Sequence, residues 1–276
     1  MNKLHELSFE QFCNKVIALT GFSLTDYRPV QMERRIRAYA RRKGADSLAD
    51  FLLMLRGQPV LRQNFVDYLT INVTNFFRDA ERFEELATFV LPVLLAECAE
   101  PLIWSAGCAN GAEAYTIAML LERLRPQGRY RILATDINHQ CLQATFEGVY
   151  GEEALREAPE DFQREYFTPL PDGRYQAQPA LRAHIDCVRH DLLRDQFPRN
   201  VDLILCRNVV IYLTPAAKMQ LYPQFFRALR PGGYLMLGNT ERILEADKLG
   251  FLNSLPHLYQ RRKVHATHSA VSSKGS

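Results

Sequence analysis

The chain has 276 residues, of which 47% are apolar and 24% charged, so it can bury a large core with a smaller domain attached. Its net charge of +3 is too small to indicate a nucleic-acid partner. The six cysteines are scattered without a C-x-x-C pair, which argues against a metal site or disulfide framework and favours the cytoplasm. The beginning of the chain lacks a signal-peptide core, and no apolar run is long enough for a bilayer, so we expect a protein that is not membrane-embedded.

Residues 1–70 are predicted to form an all-helical N-terminal domain. Ser8 to Gln11 and Ser47 to Asp50 each fit a capping box, and apolar residues with helical spacing follow both. Pro59 suits the first turn of a further helix.

The predicted helix over residues 28–43 carries seven basic residues and one acidic residue. At 100° per residue, Met32, Ile36 and Tyr39 fall on one face of this helix. The roughly opposite face carries a positive stripe of Arg34, Arg37 and Arg41. The stripe is either a solvated helix face or a docking surface for an acidic partner.

Residues 71–97 are predicted to be a connecting segment and a helix that begins at Ala80. Two readings of the connecting segment stay open. In the first, the segment is a connecting loop whose Phe76 and Phe77 insert into the protein core, and Asp79 caps the following helix. In the second, the segment is a lid that places three polar residues over a ligand: Asn72, Thr74 and Arg78.

Strands and helices alternate over residues 98–263, which predicts a doubly wound, mostly parallel α/β sheet. A strand that begins at Leu102 is followed by a glycine turn and a helix, which brings bare backbone and unpaired N–H groups close to a ligand. The alternation is interrupted at about 165–188, where an Asp-Gly turn predicts a small antiparallel β insertion. Residues 264–276 lack large apolar side chains, and we expect a disordered tail there.

Ligands of doubly wound sheets bind outside the carboxyl ends of the strands. The residues predicted at that edge are Gly107, Asp136, Asp191 and Asn208. A dinucleotide-binding turn has three glycines and binds the pyrophosphate at the start of the following helix, whereas this turn has two glycines followed by Glu113. A carboxylate repels a pyrophosphate but accepts hydrogen bonds from an amine or a ribose, which favours S-adenosylmethionine over NAD. An NAD-dependent oxidoreductase and a cofactor-binding regulator without turnover are the alternatives.

Five motifs occur in order along the chain, and they carry a resemblance to a known family. They are Asn72-x-Thr-x-Phe-Phe-Arg78, Trp104-Ser-Ala-Gly-Cys-x-x-Gly-x-Glu113-x-Tyr115, Thr135-Asp-Ile137, Asp191-Leu-Leu193 and Cys206-Arg-Asn-Val-x-Ile-Tyr212. Together they resemble the CheR-type chemotaxis receptor methyltransferases over nearly the whole chain. The resemblance implies a Rossmann-like class I methyltransferase sheet with a small β insertion, preceded by an all-α domain. It also implies methyl transfer from S-adenosylmethionine to chemoreceptor glutamates, which leaves S-adenosylhomocysteine and glutamyl γ-methyl esters.

The resemblance assigns roles to individual residues. It implies that Asn72, Thr74 and Arg78 contact the cofactor or the substrate carboxylate. Glu113 and Asp136 would hold amino or ribose groups, and Asp191 and Leu192 would frame the adenine. Asn208 and Val209 would lie near the ribose and methionyl portion, and Tyr212 would lie near the transferred methyl group. Gly107 belongs to the cofactor turn. Arg78 and Tyr212 are the predicted catalytic residues. The sequence departs from the family pattern at Ala112, where Glu is usual, at Ala114, where Pro is frequent, and at Asp191, where Asn is common.

Two further expectations follow from the resemblance. The stripe of Arg34, Arg37 and Arg41 would dock on the acidic methylation helices in the cytoplasmic domain of the chemoreceptors. In the family, the β insertion can bind a pentapeptide at the receptor C-terminus by strand addition, and members that do so carry a longer hairpin loop. Because residues 168–175 are compact, we expect this chain not to need that peptide.

Overall fold

The computed structural model describes residues 7–70 and 74–263. The helical domain contains α1 (Phe9–Thr20), α2 (Pro29–Arg42), α3 (Leu48–Gly57) and α4 (Pro59–Leu69). Ser8 and Gln11 exchange the two hydrogen bonds of a capping box, which starts α1 where the sequence predicts it. The domain packs around an aromatic cluster in which the rings of Phe12, Phe51 and Phe65 are fully buried. The predicted all-α N-terminal domain is confirmed.

A helical segment with a π-helical turn in its middle lies between this domain and the sheet. It consists of α5 (Ala80–Glu85), a π-helical turn over Leu86–Val90 and α6 (Leu91–Glu97). Pro92 has no N–H to donate, and it lies in the first turn of α6, directly after the widened turn.

The remaining elements alternate as the sequence predicts. In chain order they are β1 (Leu102–Ala106), α7 (Ala112–Leu124), β2 (Arg131–Asp136), α8 (His139–Glu147), β3 (Val149–Tyr150), α9 (Glu152–Leu155), α10 (Glu160–Tyr166), β4 (Phe167–Pro169), β5 (Tyr175–Ala177), α11 (Pro179–Arg182), β6 (Ile185–Arg189), β7 (Val201–Cys206), a 3₁₀ turn over Val210–Tyr212, α12 (Pro215–Ala228), β8 (Leu229–Leu237), β9 (Phe251–Leu255) and β10 (Leu258–Arg261).

Seven strands form the main sheet in the order β6-β2-β1-β7-β8-β10-β9. The first five are parallel neighbours, and β10 pairs antiparallel with both β8 and β9. Every residue of β7 is buried, as expected for a central strand with helices on both faces. The predicted Rossmann-like α/β fold is therefore confirmed, and the carboxyl ends of β1, β2 and β7 lie side by side at one edge.

The small antiparallel sheet, in the order β3-β5-β4, differs from the insertion predicted at about 165–188. One of its strands, Val149–Tyr150, lies well before that range, and a strand of two residues carries too little periodicity to be recognised. The end of the predicted range belongs elsewhere, because Ile185–Arg189 pairs with β2 in the main sheet. As an edge strand, β6 exposes part of its length and therefore lacks the continuous apolar run of a central strand.

The helical domain lies against the carboxyl edge of the sheet through main-chain contacts. The N–H of Arg28 donates to the carbonyl of Tyr212 at 2.9 Å, and the N–H of Thr214 donates to the carbonyl of Asp26 at 2.8 Å. The Asn138 side chain donates to Thr70 Oγ1 at 2.8 Å, which joins α4 to the turn after β2. Within residues 7–70 and 74–263, no helix has the length and apolar character of a membrane span.

Candidate active site

Two adjoining cavities open between the carboxyl edge of the sheet and the helical domain. The larger has a volume of about 390 Å³, which lies within the usual range of small-molecule sites, and the smaller has about 50 Å³. Gly107, Asn208, Val209 and Tyr212 line both cavities. Two compartments that share one wall suit an elongated ligand with two chemically different ends.

The glycine turn after β1 forms part of this shared wall. Gly107 has φ +82°, a backbone conformation that residues with a side chain rarely adopt. A Cβ atom there would lie 2.6 Å from Cγ2 of Val209. Backbone strain continues around the cavities, because Phe77, Asp79, Ala109 and Asn208 also have positive φ angles. Such concentrations of strain are typical of functional sites.

Glu113 lies in the first turn of α7, where the helix dipole favours a negative charge. Only 12% of its side chain is exposed. Ser105 Oγ donates to Glu113 Oε1 at 2.7 Å, and Arg207 Nη1 lies 3.6 Å from Glu113 Oε2. Burial raises the pKa of Glu113 above its ordinary value, against the opposing effects of Arg207 and Ser105. This carboxylate lines the smaller cavity, where it could accept hydrogen bonds from an ammonium group.

Asp136 and Asp191 are buried in the wall of the larger cavity. Asp136 accepts hydrogen bonds from the N–H groups of Asn138 and Ala109, at 2.9 and 3.0 Å. Burial raises its pKa, and these two hydrogen bonds oppose the rise. Each carboxylate oxygen has a second lone pair, so Asp136 can still accept a ribose hydroxyl. Asp191 lies two residues beyond β6, and its Oδ1 accepts from the N–H of Leu193 at 2.9 Å.

The segment before α5 combines the two readings that the sequence leaves open. Phe76 and Phe77 are buried, the first against Tyr150 and the second against Phe162. These anchored rings hold their neighbours at the site, because Thr74 and Arg78 line the smaller cavity. The expected cap is wrong: the Asp79 side chain makes no capping hydrogen bond to α5 and instead accepts one from Arg207 at 2.6 Å.

One face of helix α2 lines the larger cavity, and another face is exposed to solvent. Met32 lines the cavity and Ile36 is fully buried, as the predicted face requires. Arg34 lies at the cavity rim, whereas Arg37 and Arg41 are exposed away from it. Arg37 pairs with Glu33 at 2.7 Å, an exposed contact that typically contributes about 0.3–0.5 kcal/mol.

The structure thus brings the predicted site residues together, with three exceptions. Arg37 and Arg41 lie outside the cavities, and Asn72 falls outside the described residues, as does the predicted tail, which is not part of the site. The predicted residues that line one or both cavities are Arg34, Thr74, Arg78, Gly107, Glu113, Asp136, Asp191, Leu192, Asn208, Val209 and Tyr212.

Sequence reasoning missed two residues that organise the site. Arg207 is buried beside Asn208 and bonds to the segment before α5. Glu241 is 2% exposed, and its carboxylate accepts from the N–H groups of Gly238, Asn208 and Ile211 at 2.6, 2.9 and 3.0 Å. It thereby fixes the strained turn that follows β7. The only sequence signal for Arg207 was its position next to Asn208 in the last motif, and Glu241 belongs to none of the motifs.

The helical-domain wall was also missed. Besides Met32, the residues that it contributes to the larger cavity are Tyr27, Arg28, Gln31, Arg34, Arg35, Leu69 and Thr70. Tyr27 also packs against the apolar cluster beside β7, so this wall is continuous with the sheet domain. Periodicity assigns residues to the buried face of a helix, but it does not reveal that this face borders a cavity.

The lining fits S-adenosylmethionine. The larger cavity offers the buried Asp136 and Asp191 together with apolar walls, as an adenosyl group requires, and the smaller offers Glu113 for the ammonium group of an amino-acid tail. A pyrophosphate would meet the Glu113 carboxylate at the start of α7, where NAD-binding sites leave the helix N-terminus open to phosphate.

Comparisons with known proteins agree with this fit. The family model described as "CheR methyltransferase, SAM binding domain" matches residues 72–255, and the one described as "CheR methyltransferase, all-alpha domain" matches residues 7–70. The chain is similar to a chemotaxis protein methyltransferase of Listeria monocytogenes, with 38% identity over 83% of this chain and 88% of that protein. It is also similar to chemotaxis protein methyltransferase 1 of Pseudomonas aeruginosa, with 32% identity over 91% of this chain and 93% of that protein.

A third relative is the chemotaxis protein methyltransferase of Borreliella burgdorferi, with 30% identity over 87% of this chain and 89% of that protein. Each of these three relatives matches both the helical domain and the sheet domain. The chain therefore belongs to the CheR methyltransferase family and is an S-adenosylmethionine-dependent methyltransferase.

Proposed function

We propose that this methyltransferase esterifies glutamate side chains on the acidic methylation helices of chemoreceptor cytoplasmic domains, and that it acts in the cytoplasm. The observation that carries the proposal is the position of Arg78. This residue lines the smaller cavity, which shares Asn208 and Tyr212 with the larger one, and we place its guanidinium near the junction of the two compartments. A carboxylate is the acceptor that a guanidinium attracts and orients best.

The chemistry follows from the groups that meet at this junction. S-adenosylmethionine supplies an electrophilic methyl group on a sulfonium. A glutamate carboxylate is ionised near neutral pH, so the chain does not have to provide a general base. Arg78 orients the attacking oxygen, Tyr212 limits its approach, and the walls contributed by α2 and the β7 turn exclude water.

Glu113 and Asp136 bind rather than react in this mechanism. Glu113 accepts hydrogen bonds from the ammonium group of the cofactor, and Asp136 accepts them from the ribose hydroxyls. Both carboxylates are held by hydrogen bonds before any ligand arrives, so little reorganisation accompanies binding.

The exposed Arg37 and Arg41 are proposed to dock on the receptor. Arg34, Arg37 and Arg41 lie along α2, and Arg34 reaches the cavity rim, so the stripe leads from the surface towards the site. Two other basic residues of α2 serve the fold instead: Arg35 donates to the carbonyl of Tyr68 at 2.6 Å, and the Arg42 guanidinium lies 4.8 Å from the Tyr68 ring centroid.

Reversing the charges of Arg37 and Arg41 with Arg37→Glu/Arg41→Glu is expected to raise the KM for the receptor about tenfold at low ionic strength. The physical reason is the loss of electrostatic attraction to an acidic helix, which salt screens over about 10 Å at 0.1 M. Steady-state methylation measured from low to high salt checks this, and the difference from wild type should shrink as salt rises.

The matched control is Arg129→Glu/Arg199→Glu, which changes the net charge equally at exposed positions of the sheet domain. An equal KM for the two double variants would leave the stripe as a plain solvated face.

Independence from the receptor pentapeptide is supported by the edges of the small sheet. β3 has two residues and β4 has three, one of them Pro169, which cannot donate to an added strand. The connecting turn is closed by a hydrogen bond from the N–H of Leu170 to the carbonyl of Arg174, at 2.7 Å. Such short edges are poor templates for strand addition.

The deciding experiment incubates the protein with methyl-labelled S-adenosylmethionine and receptor cytoplasmic fragments, with and without their C-terminal pentapeptide. We expect base-labile methyl groups on glutamates in both fragments, at rates within about twofold of each other. Receptor fragments with glutamine at the methylation positions serve as the control and should stay unlabelled. Base-stable label would reject carboxyl esterification, whereas labelling only of the fragment that carries the pentapeptide would reject peptide independence alone.

A further inference from the structure

The Arg207 guanidinium sits between the two elements that carry the polar groups of the smaller cavity. Its side chain is 4% exposed and follows the end of β7. Nη2 donates to the carbonyl of Arg78 at 2.7 Å and to the Asp79 carboxylate at 2.6 Å, and Nη1 lies 3.6 Å from Glu113 Oε2. The guanidinium carbon, Cζ, lies over the Phe83 ring at 5.0 Å from its centroid.

A buried guanidinium is costly unless it is paired and hydrogen-bonded. Here two carboxylates from different elements share that pairing: Asp79 from the segment before α5 and Glu113 from α7. Asp79 adopts a left-handed φ of 61° at the start of α5 and yet makes no capping bond. Its side chain serves the ion pair instead, so the local strain is maintained by a contact across the site.

Two charged groups and one titratable thiol face Glu113 from neighbouring elements. The charged groups are Arg207 at the end of β7 and Arg78 in the segment before α5, and the third group is the buried, neutral thiol of Cys206, whose own pKa burial raises. Burial raises the pKa of Glu113, and Arg207 is the strongest opposing influence. Removing Arg207 would therefore move this pKa further towards neutrality, while Arg78 would remain as the second cation.

We propose that Arg207 is a positioning residue for cofactor recognition, which keeps Glu113 as a carboxylate and holds the Arg78 main chain beside it. The proposal rests on the proposed role of Glu113 as the acceptor of the cofactor ammonium group. Although Arg207 itself lines the smaller cavity, the proposed role requires no contact between its guanidinium and the methyl donor or the receptor. Its effect is transmitted through Glu113 on one side and through the Arg78 carbonyl on the other.

The test measures the Kd of S-adenosylhomocysteine by calorimetry between pH 6.0 and 7.5, where the ligand amine stays protonated. For the wild type we expect little change over this range. For Arg207→Met we expect binding about tenfold weaker at pH 7.5, and weaker still at pH 6.0. Binding weakens at lower pH because, without the guanidinium, Glu113 becomes protonated and loses the charge that attracts the ammonium group.

Further variants separate positioning from a general effect on the fold. Arg207→Lys keeps a cation and should restore most of the affinity and the flat pH profile. Arg207→Met/Glu113→Gln should bind weakly with no pH dependence. Arg230→Met, which removes another partly buried arginine with two acidic partners, should bind as the wild type does at every pH.

An Arg207→Met protein whose affinity falls by the same factor at every pH, or does not fall, would overturn the proposal. If Arg207→Met does not fold, an Arg207→Lys protein that binds more than about tenfold more weakly than the wild type at every pH would overturn it equally. Because these measurements contain no receptor, a wrong receptor assignment cannot alter them. If Glu113→Gln alone binds normally, the role of Glu113 is wrong, and the proposal falls with it while the proposed methyl transfer still stands.

Discussion

Glu113→Gln is expected to weaken S-adenosylhomocysteine binding about 100-fold. The substitution keeps the shape of the side chain but removes its charge at the start of α7, where only 12% of the side chain is exposed. Losing one partner of a nearly buried charge pair typically costs about 2–5 kcal/mol, and 100-fold corresponds to about 2.7 kcal/mol. Calorimetric titration of the purified variant gives the ratio of dissociation constants directly.

Glu122→Gln provides the matched control on the same helix. Its carboxylate lies near the other end of α7 and accepts a hydrogen bond from the N–H of Gln127. This variant should bind as the wild type does. A dissociation constant for Glu113→Gln within about twofold of the wild-type value would show that the ammonium group is held elsewhere.

Arg78→Met is expected to lower kcat about 10²–10³-fold with the receptor and cofactor both saturating. An unoriented carboxylate must find the line of attack by chance, and positioning contributes much of the rate of such bimolecular transfers. The main chain of Arg78 should keep its place in the variant, because Arg207 bonds to its carbonyl rather than to its side chain. Single-turnover methylation with pre-bound cofactor measures the effect on the transfer step.

The same variant separates the two groups that Arg78 can hold. If the guanidinium orients the receptor carboxylate, the affinity for S-adenosylhomocysteine should change less than about threefold while kcat falls. If it binds the methionyl carboxylate instead, the affinity falls and turnover with saturating cofactor stays near normal, which would reject the catalytic assignment. Arg129→Ala, at an exposed surface pair with Glu100, is the control and should leave both quantities unchanged.

Local sequence patterns were sufficient for most of the fold. The capping box at Ser8, the apolar face through Ile36 and the alternation after Leu102 each depend on residues within a few positions of one another. The pattern failed where an element was short or half exposed. The small strand at Val149–Tyr150 and the edge strand at Ile185–Arg189 were missed or misplaced for that reason.

The cofactor edge was also accessible from sequence, because parallel strands bring their carboxyl ends together by topology. Gly107, Asp136, Asp191 and Asn208 could be assigned to one edge before any contact was known, and all four line the larger cavity. The presence of Glu113 at the start of the helix, where a dinucleotide site binds pyrophosphate, could likewise be read from neighbouring residues alone. It indicated the chemical class of the ligand, since a carboxylate at a helix start selects against pyrophosphate.

Only the tertiary structure decided what surrounds that edge. Arg207 and Asp79 are 128 positions apart, and their ion pair forms because β7 and the segment before α5 meet at the site. The α2 wall forms because the helical domain packs against the turn that carries Tyr212. Sequence alone therefore determined the sheet, the glycine turn and the kind of cofactor. Long-range packing determined which charges face each other in the site, and sequence could not show this because such pairings leave no periodic pattern in either segment.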